Sequence, residues 1–224
     1  MTMKRFVLII ALLLYSFVGY AQFFTEDQIN SYQSFLDDKF AEYKDSFVFT
    51  DDGIAVQKVL TGEGSKDQLY DKILEFLTRT FKDSNEVIQV KEKDSGLIIC
   101  KGLYTFNVNE MDGYGQKVNN NVYHIIKAEC KDGRIRLTIT IDNIELLRSS
   151  TDEVEIKYLD DLYTSFTDVP VDFDIMDFDQ AMKREAQLFE GFQIYHCIKY
   201  MLFLTDELNI SLNQKSVLDT GDDW

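Results

Sequence analysis

Hydrophobic residues recur at three- and four-residue spacing in one central stretch of the chain and at two-residue spacing in several others. Ser65 and Gln68 have the spacing of a capping box, so a helix is predicted to begin near Lys66. Its apolar positions form one stripe, which a sheet can cover. The stripe consists of Leu69, Ile73, Leu74, Leu77 and Phe81.

Strands are predicted on both sides of this helix. Residues 54–60 form the first strand of the core. After the helix, Ile88 and Val90 alternate with polar residues, and the run 97–100 follows a charged turn. Gly96 can take the positive φ that closes a hairpin between these two strands. The second of them can continue through residue 108.

A second hairpin is predicted from alternation within residues 123–130 and 134–142. Asp132-Gly133 between them is typical of a two-residue turn, which fixes the register. A slip by one residue would bury charge, so the register should be strongly held. The predicted opposite pairs are Lys131 and Arg134, Cys130 and Ile135, Ala128 and Leu137, Ile126 and Ile139, and His124 and Ile141.

Helical patterns lie towards both ends of the chain. Residues 25–44 carry an apolar stripe and begin with Thr25 and Gln28, a second capping-box pair. Packing on the domain is the simpler interpretation of this helix, although it could also cover a sheet edge or bind a partner. A long final helix is predicted from about Asp179 to Leu204. It is mostly apolar, with a narrow polar stripe of Gln193, His196 and Lys199.

The region between the second hairpin and the final helix has a mixed pattern. Within it, residues 153–158 are a candidate for an extra strand. Residues 109–121 contain two glycines and three successive asparagines, a composition that favours a loop.

The central stretch also carries a resemblance to a known family. The order is a serine, an acidic residue, Leu69-Tyr70, a helix ending in phenylalanine, the letters VIQ, a charged turn with glycine, and LIICKG. Over roughly residues 54–142 it resembles a bacterial secreted family known as domain of unknown function 4468, associated with a TATA-binding-protein-like fold. Element order and resemblance together imply an α+β fold, an antiparallel curved sheet with helices on one face. The expected order is β-α-β-β-β-β-α, preceded by an accessory helix. The family has no established activity, so it implies no catalytic residues.

Residues 1–21 are predicted to be a signal peptide. Lys4 and Arg5 precede an apolar run, and Gly19 and Ala21 supply small residues at the positions that a signal peptidase reads. An uncleaved anchor is the alternative, but the run is shorter than the about 20 residues that span a bilayer. The predicted organisation is completed by a helical segment (22–50), a single α+β domain (54–205) and an acidic tail (206–224).

The charge balance argues against polyanion partners. The chain has 39 acidic and 23 basic residues, a formal net charge of −16. Nucleic-acid affinity depends on Lys and Arg neutralising phosphates. Nucleic acid is therefore not expected as a partner, and no membrane span is expected in the mature chain.

Two short stretches are candidates for ion sites. Residues 62–66, GEGSK, precede a helix N-terminus but lack phosphate-loop spacing, and Glu63 would repel an anion. Five aspartates could surround a cation, yet they lack the glycine and distal glutamate of an EF-hand. These aspartates are Asp168, Asp172, Asp174, Asp177 and Asp179. An ordinary capped turn and a solvated loop are the favoured interpretations, so no metal or cofactor is predicted.

The histidines and cysteines fit no catalytic or zinc motif. His124 and His196 lack paired spacing, and each is interpreted as structural. The cysteines lie in apolar strands or a helix, where a thiol behaves as a small hydrophobe. A Cys100–Cys130 disulfide, with Cys197 reduced, remains an alternative because disulfides persist in exported proteins.

The function favoured by these observations is that of an exported, non-enzymatic binding or accessory protein of the bacterial envelope, periplasmic or envelope-associated. An envelope protein, a glycan or a small apolar ligand is the expected partner. A structural assembly subunit, or an enzyme without a recognisable motif, is the alternative. The predicted ligand or partner surface consists of Tyr114, Asn119, Asn120, Tyr123 and His124.

Overall fold

The computed structural model describes residues 24–81, 84–107, 118–148, 154–167 and 178–213. The predicted signal peptide and residues 214–224 of the predicted tail lie outside these residues. In chain order the elements are α1 (Glu26–Tyr43), β1 (Val48–Thr50), β2 (Gly53–Thr61), α2 (Lys66–Thr80), α3 (Ser84–Val87), β3 (Ile88–Glu92), β4 (Leu97–Asn107), β5 (Val118–Lys131), β6 (Arg134–Arg148), β7 (Val154–Tyr158), α4 (Leu159–Thr167) and α5 (Phe178–Asn213).

The strands form one antiparallel sheet in the order β1-β2-β6-β5-β4-β3. Strand β2 pairs with residues 134–141 of β6, and β7 pairs with residues 143–147 of the same strand. Because both pair with one edge of β6, β2 and β7 lie end to end beside it. Helices α2, α4 and α5 contact the sheet. The predicted α+β class, a curved antiparallel sheet with helices on one face, is confirmed.

Helix α2 has the predicted start and the predicted buried stripe. The Ser65 hydroxyl accepts from the Gln68 amide, and the Gln68 side chain accepts from the Ser65 amide. Leu69, Ile73 and Leu77 are buried among the side chains of the core, while Leu74 and Phe81 are half-buried. The helix is therefore held on the sheet by the apolar positions that the spacing identified.

The register of the β5–β6 hairpin is the one predicted, with all five expected pairs opposite each other. Gly133 has a φ of +71°, as the tight turn requires. The alternation predicts no irregularity, but the register shifts between Val122 and His124. This bulge keeps Val122 and Ile144 on the same buried face as His124 and Ile141.

The predicted loop 109–121 needs correction, because Asn119, Asn120 and Asn121 belong to β5. Asparagine is poorly suited to strands in general, but here each polar side chain has a place. Asn119 is exposed, Asn121 accepts a hydrogen bond from Thr105 across the sheet, and Asn120 is paired in the interior. Residues 108–117 lie outside the described residues.

The C-terminal elements also extend beyond their predicted limits. The candidate strand at 153–158 is present as β7, and helix α4, which was not predicted, follows it. Helix α5 continues to Asn213, so residues 206–213 are helical rather than part of a tail. Leu204, Leu208 and Leu212 are buried at four-residue spacing, which explains why the helix continues.

Helix α1 packs on α5. The rings of Tyr32 and Phe192 meet edge to face, with centroids 5.7 Å apart, and Phe35 contacts Tyr195 at 5.3 Å. The Phe24 backbone N–H donates to a Glu185 carboxylate oxygen at 2.6 Å. The simpler interpretation of this helix, packing on the domain, therefore agrees with its contacts.

Candidate functional site

The side of the sheet opposite the helices carries apolar side chains that remain exposed. We call it the open face. Leu103 is 50% exposed and Tyr123 is 49% exposed, and these two residues lie opposite each other on β4 and β5. The exposed apolar residues of the open face include Val59, Leu103, Tyr123, Ile125, Val154, Ile156 and Tyr158.

Charged residues of both signs accompany these apolar side chains. Lys127 Nζ lies 3.5 Å from Glu129 Oε1, and Arg136 Nη1 lies 3.8 Å from Glu129 Oε2. Exposed pairs of this kind contribute little to stability. Partial burial raises the pKa of Tyr123, and the carboxylate of Glu145 raises it further. In a chain of net charge −16, the open face is thus a mixed surface rather than a purely acidic one.

The helix-covered side contains a cluster of aromatic and polar side chains between β4, β5 and α5. The rings of Tyr104 and Tyr200 stack in parallel, with centroids 4.0 Å apart. The Tyr200 hydroxyl lies 3.3 Å from His124 Nε2. Gly102 lies beneath this histidine, where a Cβ would be 2.3 Å from Nε2. The absence of a side chain at Gly102 therefore makes room for the His124 ring.

Burial controls the ionisation of this cluster. It lowers the pKa of His124 from 6.5 to about 4, and a weaker contribution from the Val122 backbone opposes the shift. The Nδ1 atom makes no well-formed hydrogen bond with any described group. Burial also raises the pKa of Tyr200 and of Tyr104. The three groups are consequently neutral near pH 7.

A second polar contact joins α5 to the start of β5. Gln193 Nε2 donates to Asn120 Oδ1 at 2.7 Å, and Asn120 Nδ2 donates to the Phe106 carbonyl at 3.3 Å. His196 stacks on the Phe106 ring at 4.8 Å, and burial followed by the charge of Lys199 lowers its pKa. The predicted stripe on the last helix therefore runs from a buried amide to an exposed lysine.

The structure does not bring the five predicted surface residues together. Asn119 and Tyr123 are exposed, Asn120 and His124 are buried on the helix side, and Tyr114 lies outside the described residues. Successive residues of a strand point to opposite faces. Asn120 and His124 are therefore removed from the predicted surface. The exposed residues of the open face also include Leu103, Ile156 and Tyr158, which no sequence motif marks.

The structure gives no support to the two candidate ion sites, the turn at residues 62–66 and the group of five aspartates. The Lys66 amide at the start of α2 donates to Asp132 Oδ1 at 2.7 Å, so a carboxylate already lies at this helix N-terminus. Of the five aspartates considered for a cation, only Asp179 is among the described residues. No group of three metal-ligating side chains occurs in the part of the chain that is described.

The three cysteines are buried thiols. Cys100 lies opposite Ile126, and Cys130 lies opposite Ile135. The two thiols are four residues apart along the sheet, about 13 Å at strand spacing, whereas bridged Cα atoms lie within about 7 Å. The alternative of a Cys100–Cys130 disulfide is therefore wrong. Burial raises the pKa of Cys100 to about 12 and that of Cys130 to about 11.

The protein is thus of the α+β class, with one antiparallel sheet, a helix-covered face and an open face. Residues 57–145 match the family described as a domain of unknown function (DUF4468) with TBP-like fold, so the resemblance seen in the sequence is confirmed. The matched region runs from β2 into β6. No functionally curated protein matches the chain.

Two solved structures are similar to this chain. A TBP-like protein from Parabacteroides distasonis ATCC 8503 has a TM-score of 0.50 and 11% identity, with 74% of this chain and 98% of that chain covered. A DUF4468 family protein from Bacteroides ovatus ATCC 8483 has a TM-score of 0.48 and 12% identity, with coverages of 77% and 93%. At 11% identity, the likeness to the Parabacteroides distasonis protein concerns the fold alone. None of the helices in the described residues is long and apolar enough to cross a membrane.

The neutral state of His124 leads to a prediction about acid stability. Its pKa is about 4 in the folded protein and near 6.5 when unfolded, so the unfolded chain binds a proton first as the pH falls. Stability should therefore decrease from about pH 6.5 to about pH 4, by about 3 kcal/mol from this residue. Urea unfolding of wild type and His124→Gln across this interval measures the effect.

The His124→Gln variant should show a clearly smaller pH dependence, because glutamine does not titrate. His196→Gln is the matched control, since His196 is only half-buried and should contribute less. Equal slopes for wild type and His124→Gln would show that His124 is protonated as readily in the folded protein as in the unfolded chain.

Proposed function

We propose that this chain is an exported, non-enzymatic accessory protein of the bacterial envelope that binds another protein through the open face of its sheet. The observation that carries this proposal is the group of half-exposed apolar side chains around Leu103 and Tyr123. Contiguous apolar surface bordered by polar residues is typical of protein-binding sites. Tyrosine is also enriched in such sites, because its ring offers contact area and its hydroxyl a hydrogen bond.

The charges of the open face support a protein partner. Lys127, Glu129 and Arg136 offer both donors and acceptors at its border, and an opposing protein surface can match them. A glycan or a small apolar ligand would favour a concave, convergent site. The convergent polar groups of this chain, around His124, are instead buried under α5.

Export is supported by the sequence of residues 1–21, with a basic start, an apolar run and small residues at its end.

A catalytic role is the alternative that one observation favours, namely the contact of His124 with Tyr200. Perturbed ionisation marks catalytic sites most strongly when a charged partner accompanies burial. Burial is the larger cause of both shifts, so we favour a structural role for this pair.

The experiment compares capture of envelope proteins by tagged chains. The bait consists of residues 22–224, as wild type or with Leu103→Ser and Tyr123→Ser together. Phe203→Ser is the control, because Phe203 is an equally exposed apolar residue on helix α5. A specific partner should bind wild type and control alike and bind the double variant at least tenfold less, roughly the loss of 1.4 kcal/mol.

Equal capture by the double variant would contradict a site on the open face, provided that circular dichroism shows the variants folded. A glycan or a small molecule as the only retained species would replace the protein partner. In the same cells, the full chain should be recovered from the envelope with Gln22 as its first residue. Recovery of intact residues 1–21 would contradict cleavage.

A further inference from the structure

Strand β7 leaves one of its two edges unpaired within the described residues. It pairs with β6 from Val154, opposite Leu147, to Tyr158, opposite Asn143, without a register shift. No strand of the described sheet lies on its other side. The backbone N–H and C=O groups on such an edge can pair with a strand of another molecule.

Two of the common protections against edge pairing, a proline and a bulge, are missing from β7. Ile156 is 55% exposed and Tyr158 is 50% exposed on the open face. On the helix side, Lys157 Nζ lies 3.0 Å from Glu190 Oε1 and 3.9 Å from Glu155 Oε1. The edge thus presents apolar residues on one side and both charges on the other.

We propose that a second copy of this chain pairs with β7 in antiparallel orientation, centred on Ile156. In this register Val154 lies opposite Tyr158 of the second copy, and Ile156 lies opposite its own counterpart. Glu155 lies opposite Lys157, and the two-fold symmetry creates this pair twice. Opposite charges and apolar side chains in direct cross-strand positions both favour pairing.

The charges select this register over its neighbours. A shift by two residues in one direction places Lys157 opposite Lys157, and a shift in the other direction places Glu155 opposite Glu155. Like charges in these positions are destabilising. A shift by one residue would turn the second copy over, with its helices on the opposite side of the joined sheet. The centred register alone matches charges and faces together.

The paired strands would join two sheets into one, with the two open faces side by side. Five residue pairs bury less than the about 1,200 Å² of a standard stable interface. The self-association should therefore be weak and depend on concentration. The inference does not rest on the proposed partner of the open face, because a dimer can form whether or not that partner exists.

Sedimentation of residues 22–224 at concentrations from about 1 to 300 µM tests the proposal, since weak interfaces dissociate in this range. The wild type should shift from monomer to dimer. Glu155→Lys and Lys157→Glu each face like charges across the axis, so each should dimerise at least tenfold more weakly. An equimolar mixture of the two variants should recover dimer, because every cross-strand pair then has opposite charges.

The control variants are Lys91→Glu and Glu92→Lys, which make the same charge changes at exposed positions of β3, at the other edge of the sheet. They should dimerise as the wild type does. A monomeric wild type at every concentration, or a mixture that stays monomeric while each variant is folded, would overturn the proposal.

A second measurement covers the case in which a charge variant fails to fold. Ile156→Cys places two thiols opposite each other on the axis, so mild oxidation should link two copies covalently. Val59→Cys is the control, because Val59 is similarly exposed on the open face but lies on β2. Absence of a covalent dimer from Ile156→Cys, or equal linkage of both variants, would also overturn the proposal.

Discussion

Replacing Leu77 by alanine is expected to lower the free energy of unfolding by about 2–5 kcal/mol, the usual cost of a truncated buried leucine. Leu77 is 1% exposed and is part of the core that α2 forms with the sheet. The loss combines transfer of the removed carbons with the cavity that the surrounding strands cannot fill. Denaturant unfolding of the mature chain measures it.

Glu75→Ala is the matched control, because Glu75 lies on the exposed side of the same helix and alanine favours helices. Its effect should stay within about 0.5 kcal/mol. A loss of less than about 0.5 kcal/mol for Leu77→Ala itself would mean that α2 does not cover the sheet.

Gly102→Ala is expected to destabilise the protein by about 1–3 kcal/mol, as overpacking of a core does. The added Cβ would lie 2.3 Å from His124 Nε2 and 2.8 Å from a Phe81 ring carbon. Alanine normally improves a strand relative to glycine by roughly 0.5–1 kcal/mol. The sign of the measured change therefore reports directly on the crowding around His124.

The coupling between the two positions provides the control for this prediction. In a His124→Ala background the main clash is gone, so Gly102→Ala should cost at least about 1 kcal/mol less than in wild type. Urea unfolding of the two single variants and the double variant completes the cycle. Additive losses would show that the His124 ring does not occupy the space above Gly102.

Sequence patterns predicted the elements that neighbouring residues define, such as a helix start or a tight hairpin. The Ser65 capping box defined the start of α2, and Asp132-Gly133 with its flanking alternation defined the β5–β6 register. The bulge between Val122 and His124 could not be predicted in this way, because it lies where β6 changes partner from β2 to β7, and local alternation does not record partners. Helix α4 was also missed, in a region where no single period dominated.

In the candidate site, too, local features could be predicted from the sequence and long-range contacts could not. Composition assigned the three asparagines to a loop, whereas Asn120 is held in a strand by Gln193, 73 residues away. The residues around Asn120 in the sequence therefore could not have predicted that contact. The alternation of β5, in contrast, is a local signal, and it places Tyr123 and His124 on opposite faces. The same rule places Ile125 beside Tyr123 on the open face.

The three buried thiols have a consequence for chemical ageing of the protein. Cys100, Cys130 and Cys197 are hidden from solvent and held in their protonated form, so oxidants and alkylating reagents act only on chains that have opened. In an oxidising compartment, sulfenic acids and mixed disulfides would therefore accumulate on molecules that have lost their fold. Thiol modification of a stored sample thus measures how often the helices come apart from the sheet.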